Sequence, residues 1–260
     1  MPEATTAEEV ARRFCVSPRA SQSLADWQAD RPEVAAHVLA HVTRTPYSLT
    51  SAVLHDVARA TEHALGEVQK SDADAVPSIR DWTSPFAFTH VFHYALETLA
   101  APYTYQRFRQ FCRDDARAQA MLWRPAQEAV ESAAQRVDQE VARNAMRWRV
   151  GLAYYSFMRE LVTVVALRER GLDLQVHPLA DALFRVDAWS GSTVVALYIG
   201  NAAFRDGTAG RKPTPEGLLG DSFQYVSIRL RTQHAFGVLH LPSEGALDQA
   251  AREIRTAQGG

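Results

Sequence analysis

The stretch from Pro178 to Asn201, "PLADALFRVDAWSGSTVVALYIGN", decides how the second half of the chain is read. Its apolar residues alternate with polar ones instead of recurring every third or fourth place, which is the pattern of strands. "DALFRVDAW" and "STVVALYIG" read as two strands, joined by a tight turn at Ser190-Gly191. With that turn Trp189 faces Ser192, Asp187 faces Val194, Arg185 faces Ala196 and Asp181 faces Gly200. One face then holds Phe184, Val186, Val195, Leu197 and Ile199 and belongs to the core. The other holds Asp181, Arg185, Asp187 and Tyr198 and is mixed. Strands rise about 3.3 Å per residue, so Asp181 and Asp187 are expected roughly 20 Å apart. Arg185 and Asp187 are expected to pair on a half-exposed face. Asp181 is expected at the open end of the hairpin, beside Asn201 and the loop that follows.

Outward from the hairpin, "LDLQVH" reads as a short strand before it, and "FQYVSIRL" and "FGVLHLP" as strands after it. "SEGALDQAAREIRTA" is a closing amphipathic helix with Ser243 as its N-cap. Upstream, one helical pattern runs from Pro125 to Arg170. Its second half, "RVGLAYYSFMRELVTVVALRERG", is apolar nearly all round, as a central helix is. Arg168, Arg170 and Gly171 supply a stop signal. The preceding residues read as almost wholly helical, opening on a capping box at Thr6 and Glu9, with one helix through "SLTSAVLHDVARATEHALGEVQK", a polar break at "SDADAVPSIRDWTSP" and a kink or break expected at Pro125. The fold class is therefore α+β. A helical region, 1–144, precedes an α/β region, 145–260, with a mixed or antiparallel sheet flanked by helices.

The totals narrow the function classes. A 260-residue chain that is 47% hydrophobic and 22% charged can bury a sizeable core without staples. A net charge of −2 gives no global attraction to nucleic acid or anionic membrane, so a nucleic-acid site must be a local basic patch. Arginine supplies nearly all the positive charge; Lys70 and Lys212 are the two lysines. Cys15 and Cys112 match no metal or redox spacing, and a reducing cytoplasm is the expected compartment. The N-terminal "MPEATTAEEVARRF" is acidic and amphipathic, unlike a signal peptide, and the uncharged runs are short for a membrane span.

The C-terminal order is a long buried helix, three strands with a central hairpin, a connection and a further strand. It resembles the core of the PD-(D/E)XK nuclease-like superfamily over roughly residues 145–255. The resemblance implies two acids that bind Mg²⁺, which stabilises developing phosphate charge, and a lysine that helps activate water. "PLAD" places Pro178 and Asp181 where the family has its leading Pro-Asp, with two residues inserted. Glu160 in "FMRELV" matches the family's first-helix acid. The third strand carries no acid-x-lysine triplet, and Ala196, Tyr198 and Gly200 stand on that face. Lys212 could substitute from the following loop. The implied catalytic set is Glu160, Asp181 and Lys212, with Glu160 and Asp181 as metal ligands. Arg205, Arg211 and Lys212, in a loop with Gly207, Gly210 and Gly217, would contact phosphate. The expected activity is that of a metal-dependent nuclease-like or nucleic-acid-contacting protein with a degenerate site.

Two alternatives come from the helical half. One is a non-catalytic scaffold binding a protein partner, or a second copy of itself, through its helices. The other is a helical metal-dependent phosphohydrolase. His55 and Asp56 in "AVLHDVARA" resemble the His-Asp dipeptide of HD-domain phosphohydrolases, with His37 or His41 upstream and Asp114 or Asp115 downstream. His90, His93 and Glu97 share a helical face at metal-ligand spacing, although the aromatic residues around them fit a core equally well.

Overall fold

A computed structural model of the chain describes residues 3–199, 214–230, 232–236 and 239–259. The chain is α+β, with helices flanking two small sheets and a third, two-stranded pairing near the N-terminus. In order, the elements are β1 (Thr5–Thr6), α1 (Ala7–Phe14), α2 (Pro18–Asp30), α3 (Pro32–Leu39), β2 (Val42–Thr43), α4 (Thr45–Ser48) and α5 (Ser51–Ala60). Then come α6 (Lys70–Asp74), α7 (Pro77–Arg80), α8 (Phe88–Leu99), α9 (Tyr105–Asp114), α10 (Ala116–Ala118), a π-helical turn (Gln119–Trp123), α11 (Arg124–Ala133) and α12 (Gln139–Glu169). A second π-helical turn (Ala180–Phe184) precedes β3 (Ala188–Ser190) and β4 (Thr193–Ile199). The order closes with α13 (Pro215–Leu219), a 3₁₀ turn (Gly220–Ser222), β5 (Gln224–Leu230), β6 (Thr232–Phe236), β7 (Leu239–Pro242) and α14 (Glu244–Gly259).

The chain forms two compact units. One comprises residues 1–52, 160–235 and 240–260; the other comprises 53–159 and 236–239. The first helices belong to the sheet-bearing unit.

In the sheet-bearing unit the capping box holds as expected. Thr6 N–H donates to Glu9 Oε2 at 2.7 Å, and Glu9 N–H donates to Thr6 Oγ1 at 3.2 Å. The sheet has the order β3-β4-β5, antiparallel between β3 and β4 and parallel between β4 and β5. The hairpin register differs from the one the sequence suggests. Ala188 pairs with Val195, Trp189 with Val194 and Ser190 with Thr193. The turn residues are Gly191 and Ser192, because the positive φ of the turn, +54°, falls on the glycine. Partners shift by two places, so the residues that do pair keep their expected faces. "LDLQVH" supplies an isolated bridge, Gln175 to Trp189, instead of a strand. Val164, Leu167, Leu174, Val176, Ala188 and Val195 pack on one side with Ile228, Leu247, Ala251 and Ile254. Thus the C-terminal end of α12, the sheet and α14 share one core. The opposite face is covered as well: the Phe14 ring lies 5.3 Å from Trp189 and 5.5 Å from Phe184. The stop signal at the end of α12 works through Gly171 at φ +83°, and Leu172 N–H returns to Leu167 O at 3.2 Å. Arg170 then pairs with Glu244 and Asp248 of α14.

The helical unit is built around aromatic side chains. Phe92 lies 4.8 Å from Phe108 and 5.0 Å from Phe157, and the buried Tyr154 touches this group. Two expectations change here. The helix expected through "SLTSAVLHDVARATEHALGEVQK" ends at Ala60. Beyond it Thr61 Oγ1 accepts from Tyr105 N–H at 2.7 Å, and Arg147 donates to the carbonyls of His63 and Ala64. Side chains thus take the places of helical backbone partners. The pattern from Pro125 to Arg170 is also broken, between α11 and α12, where Asp138 Oδ1 accepts from Glu140 N–H at 2.7 Å as a local cap. Before Pro125 the helix widens into the π turn Gln119–Trp123. By length and composition α12 passes as a membrane span, and 67% of its most apolar window is buried inside the protein. Its apolarity is thus largely accounted for by protein contacts.

Candidate functional site

The sheet-bearing unit places three carboxylates in one electrostatic neighbourhood. Glu160 comes from α12, Asp181 from the π turn, and Asp187 from the residue before β3. The approach to the π turn is fixed by His177. Leu179 N–H donates to His177 Nδ1 at 3.1 Å, which leaves Nε2–H to donate to His41 O at 3.2 Å. Burial pushes the His177 pKa down to about 4, so the ring is neutral at ordinary pH and its tautomer is set by these two bonds. The π turn then closes as Arg185 N–H and Val186 N–H both return to Ala180 O, the latter at 3.1 Å. Arg185 occupies the left-handed region at φ +61°, ψ +32°, which lets the chain reverse into β3.

This turn overturns the strand reading of "DALFRVDAW". Asp181 and Asp187 lie at the two ends of a compact reversal, not along an extended strand, so the roughly 20 Å expectation fails. Their charges couple. The Asp187 carboxyl is pushed up to about 7, by burial first and by the charge of Asp181 second. A hydrogen bond from Leu197 N–H, 2.5 Å to Oδ2, and the nearby Arg185 act in the opposite direction. The Glu160 carboxyl is raised well above the usual carboxylate range, by burial first, then by Asp187, then by Asp181. Asp187 is half-buried and forms no ion pair with Arg185 within 4 Å, so the expected exposed pair is absent among the described residues. Arg185 itself is partly buried, and its Nε has no hydrogen-bond partner.

Of the residues singled out from the sequence, Glu160 and Asp181 are brought into the same neighbourhood. Gly200, Asn201, Arg205, Gly207, Gly210, Arg211 and Lys212 lie outside the described residues. Sequence reasoning missed Asp187 as a member of the group. The available signal was a lone acid two residues before a fully buried Trp189 on the same side of the hairpin.

The donor set is hard oxygen, the chemistry that suits Mg²⁺ or Mn²⁺ rather than a thiophilic metal. Among the described residues no three His, Cys, Asp or Glu side chains are grouped so as to hold a metal ion.

In the helical unit, His90 and His93 are buried within α8 at 3% and 5% exposure, and the His93 ring sits edge-on to Phe157 at 5.5 Å. These surroundings are aromatic core. Asp56 is exposed and pairs with Arg59 at 3.1 Å. Asp115 caps α10 by accepting from Ala118 N–H at 2.8 Å, and Asp114 is paired with Arg113 at 3.6 Å. Compared with known proteins, the chain matches no family model, no curated protein and no solved structure.

Proposed function

We propose that the sheet-bearing unit is a nuclease-like domain with a degenerate site, which contacts nucleic-acid phosphate through a divalent cation. The observation that carries this reading is that the Glu160 carboxyl is raised by burial and by the charges of Asp187 and Asp181, while Asp187 is itself raised by burial and by Asp181. Neighbouring carboxylates raise the proton affinity of Glu160 and Asp187, and a divalent cation is the simplest species that relieves the repulsion at neutral pH. Glu160 and Asp187 are the primary pair, since Asp187 is the stronger of the two charges acting on Glu160. Asp181 supports them. When bound, Mg²⁺ would neutralise charge on a phosphate oxygen. The chain's own residues hold and orient. His177 fixes the entry to the π turn, Leu197 N–H fixes one Asp187 oxygen, and Arg185 supplies a cation beside the acids. Arg205, Arg211 and Lys212 are the proposed phosphate contacts of the following loop.

The test combines metal-dependent melting with nucleic-acid binding. Mg²⁺ or Mn²⁺ at millimolar concentration is expected to raise the melting temperature at pH 8. It is also expected to support nicking of supercoiled plasmid, or at least salt-dependent binding of a duplex. E160Q and D187N should lose both responses. A protein with no metal response, no nicking and no salt-dependent binding would overturn the reading. It would direct attention to the scaffold alternative, which light scattering would then address.

A further inference from the structure

The helical unit contains a cavity of about 430 Å³ between α9, the π turn Gln119–Trp123, α11 and the first half of α12. That volume is in the range of small-molecule sites, roughly 300–1,000 Å³. Its floor is apolar, formed by Phe108, Leu122, Val130 and Met146, all buried. Its rim is cationic, with Arg109, Arg143 and Arg147 against the single acid Glu131.

The three guanidinium groups differ in their commitments. Arg147 donates to Ala64 O at 3.0 Å and His63 O at 3.1 Å. Arg109 reaches Glu62 at 3.4 Å and lies over the Tyr105 ring at 5.9 Å. The Arg143 side chain makes no hydrogen bond or ion pair with any described residue, and neither do the side chains of Gln127 and Asn144 beside it. A charge and two amides without partners among the described residues line the mouth of a cavity whose floor is apolar.

The π turn contributes to the lining. Such a turn inserts one extra residue into a helix and recurs at functional sites. Here it carries Leu122 and Trp123 into the lining directly before Pro125 breaks the backbone ladder. A second recess of about 190 Å³ shares Arg109 and Trp123 with the first, extending the cationic side by Arg113.

We infer that this cavity binds a small organic anion with an apolar body, an aryl or alkyl carboxylate or sulfonate, its headgroup held by Arg143 with Asn144 and Gln127. The aromatic and aliphatic floor takes the body, and the guanidinium offers the paired donors that a planar or tetrahedral oxyanion accepts. This site lies wholly in the helical unit and is independent of the acidic cluster.

The probes are 1-naphthalenesulfonate and decanoate, with decanol as the uncharged control, titrated into the full chain by calorimetry. At least one anion is expected to bind at one equivalent, with decanol at least tenfold weaker. R143Q, at an exposed position, should weaken the anion about tenfold while leaving circular dichroism and melting unchanged. A126W, which fills the cavity, should abolish binding. Because A126W could disturb packing, R143Q decides the headgroup contact on its own. No saturable binding of either anion to millimolar concentration would overturn the inference. So would equal affinity for decanol, or an R143Q protein that binds as the native one does.

Discussion

The two units handle buried polarity in opposite ways. In the helical unit several interior polar groups are matched to neutral partners. Tyr154 Oη donates to Tyr103 O at 2.9 Å, Tyr155 Oη accepts from Ala64 N–H at 2.9 Å, and Arg149 donates to the carbonyls of Arg80 and Trp82. In the sheet-bearing unit Asp181 and Asp187 oppose the ionisation of Glu160, and Asp181 opposes that of Asp187. The first arrangement adds stability with every bond. The second costs stability unless protons or a cation are present. The difference sets opposed charge in one unit against satisfied polar groups in the other.

The largest expected effect tests the matched unit. Tyr154→Ala removes a fully buried ring that contacts Phe92, Tyr103, Tyr105 and Phe108. It should cost about 3–5 kcal/mol in urea unfolding. Tyr154→Phe keeps the ring and loses the hydroxyl bonds to Thr61 and Tyr103, for about 1–2 kcal/mol. A Phe variant as damaging as the Ala variant would show that the hydroxyl, not the ring, organises this core.

The next effect tests the opposed unit. Asp187 and Glu160 have folded-state pKa values raised above their unfolded ones, so the folded chain binds protons more tightly. Stability is then fully present below about pH 4 and falls as pH rises through about 7, where Asp187 ionises. Without added metal, unfolding free energy should drop by about 2–4 kcal/mol between pH 4.5 and 8, over and above other titrations. Asp187→Asn should flatten that slope and raise stability at pH 8. A native chain whose stability is level over this window would mean that the acids are compensated in another way.

Two smaller effects concern local geometry in the sheet-bearing unit. Gly171→Ala meets no neighbouring atom and is opposed only by the positive φ, so a loss of about 1–2 kcal/mol is expected. Thr6→Ala, which removes the capping box, should cost about 1 kcal/mol in the same denaturation measurement.

Much of the fold was legible because it rests on local chemistry. The Thr6–Glu9 box, the stop at Gly171, the all-round apolar α12 and the strands on either side of Gly191 are written in short windows of sequence. Glu160 was legible for the same reason, as one acid in an apolar helix. Asp187 was not. "ADALFRVD" carries the alternation of a strand, and its choice of a π turn depends on contacts distant in sequence. His177 is anchored on His41, and Phe184 is packed under Phe14. Once the segment is a turn, the distance between Asp181 and Asp187 no longer follows from counting residues. The hairpin register slipped by two for a simpler reason, since either Ser190-Gly191 or Gly191-Ser192 satisfies a two-residue turn, and the sequence offers no further discrimination. The break at Asp138 was hidden in the same way, by a cap within an otherwise unbroken helical pattern.

The parallel pairing of β4 with β5 has a consequence for how the chain reaches its native state. Thr193 and Gln224 are neighbours in the sheet, yet a long excursion of chain separates them, including α13. The loop must close before any of the seven paired positions, Thr193–Ile199 against Gln224–Leu230, returns a contact. Hairpin β3–β4 and the helices meet no such delay, since their partners lie close in sequence. β5 and α14, which packs on it, should therefore acquire amide protection last in pulse-labelled refolding. The carboxylate group would then assemble against β4 before the sheet is complete, while water still reaches its edge.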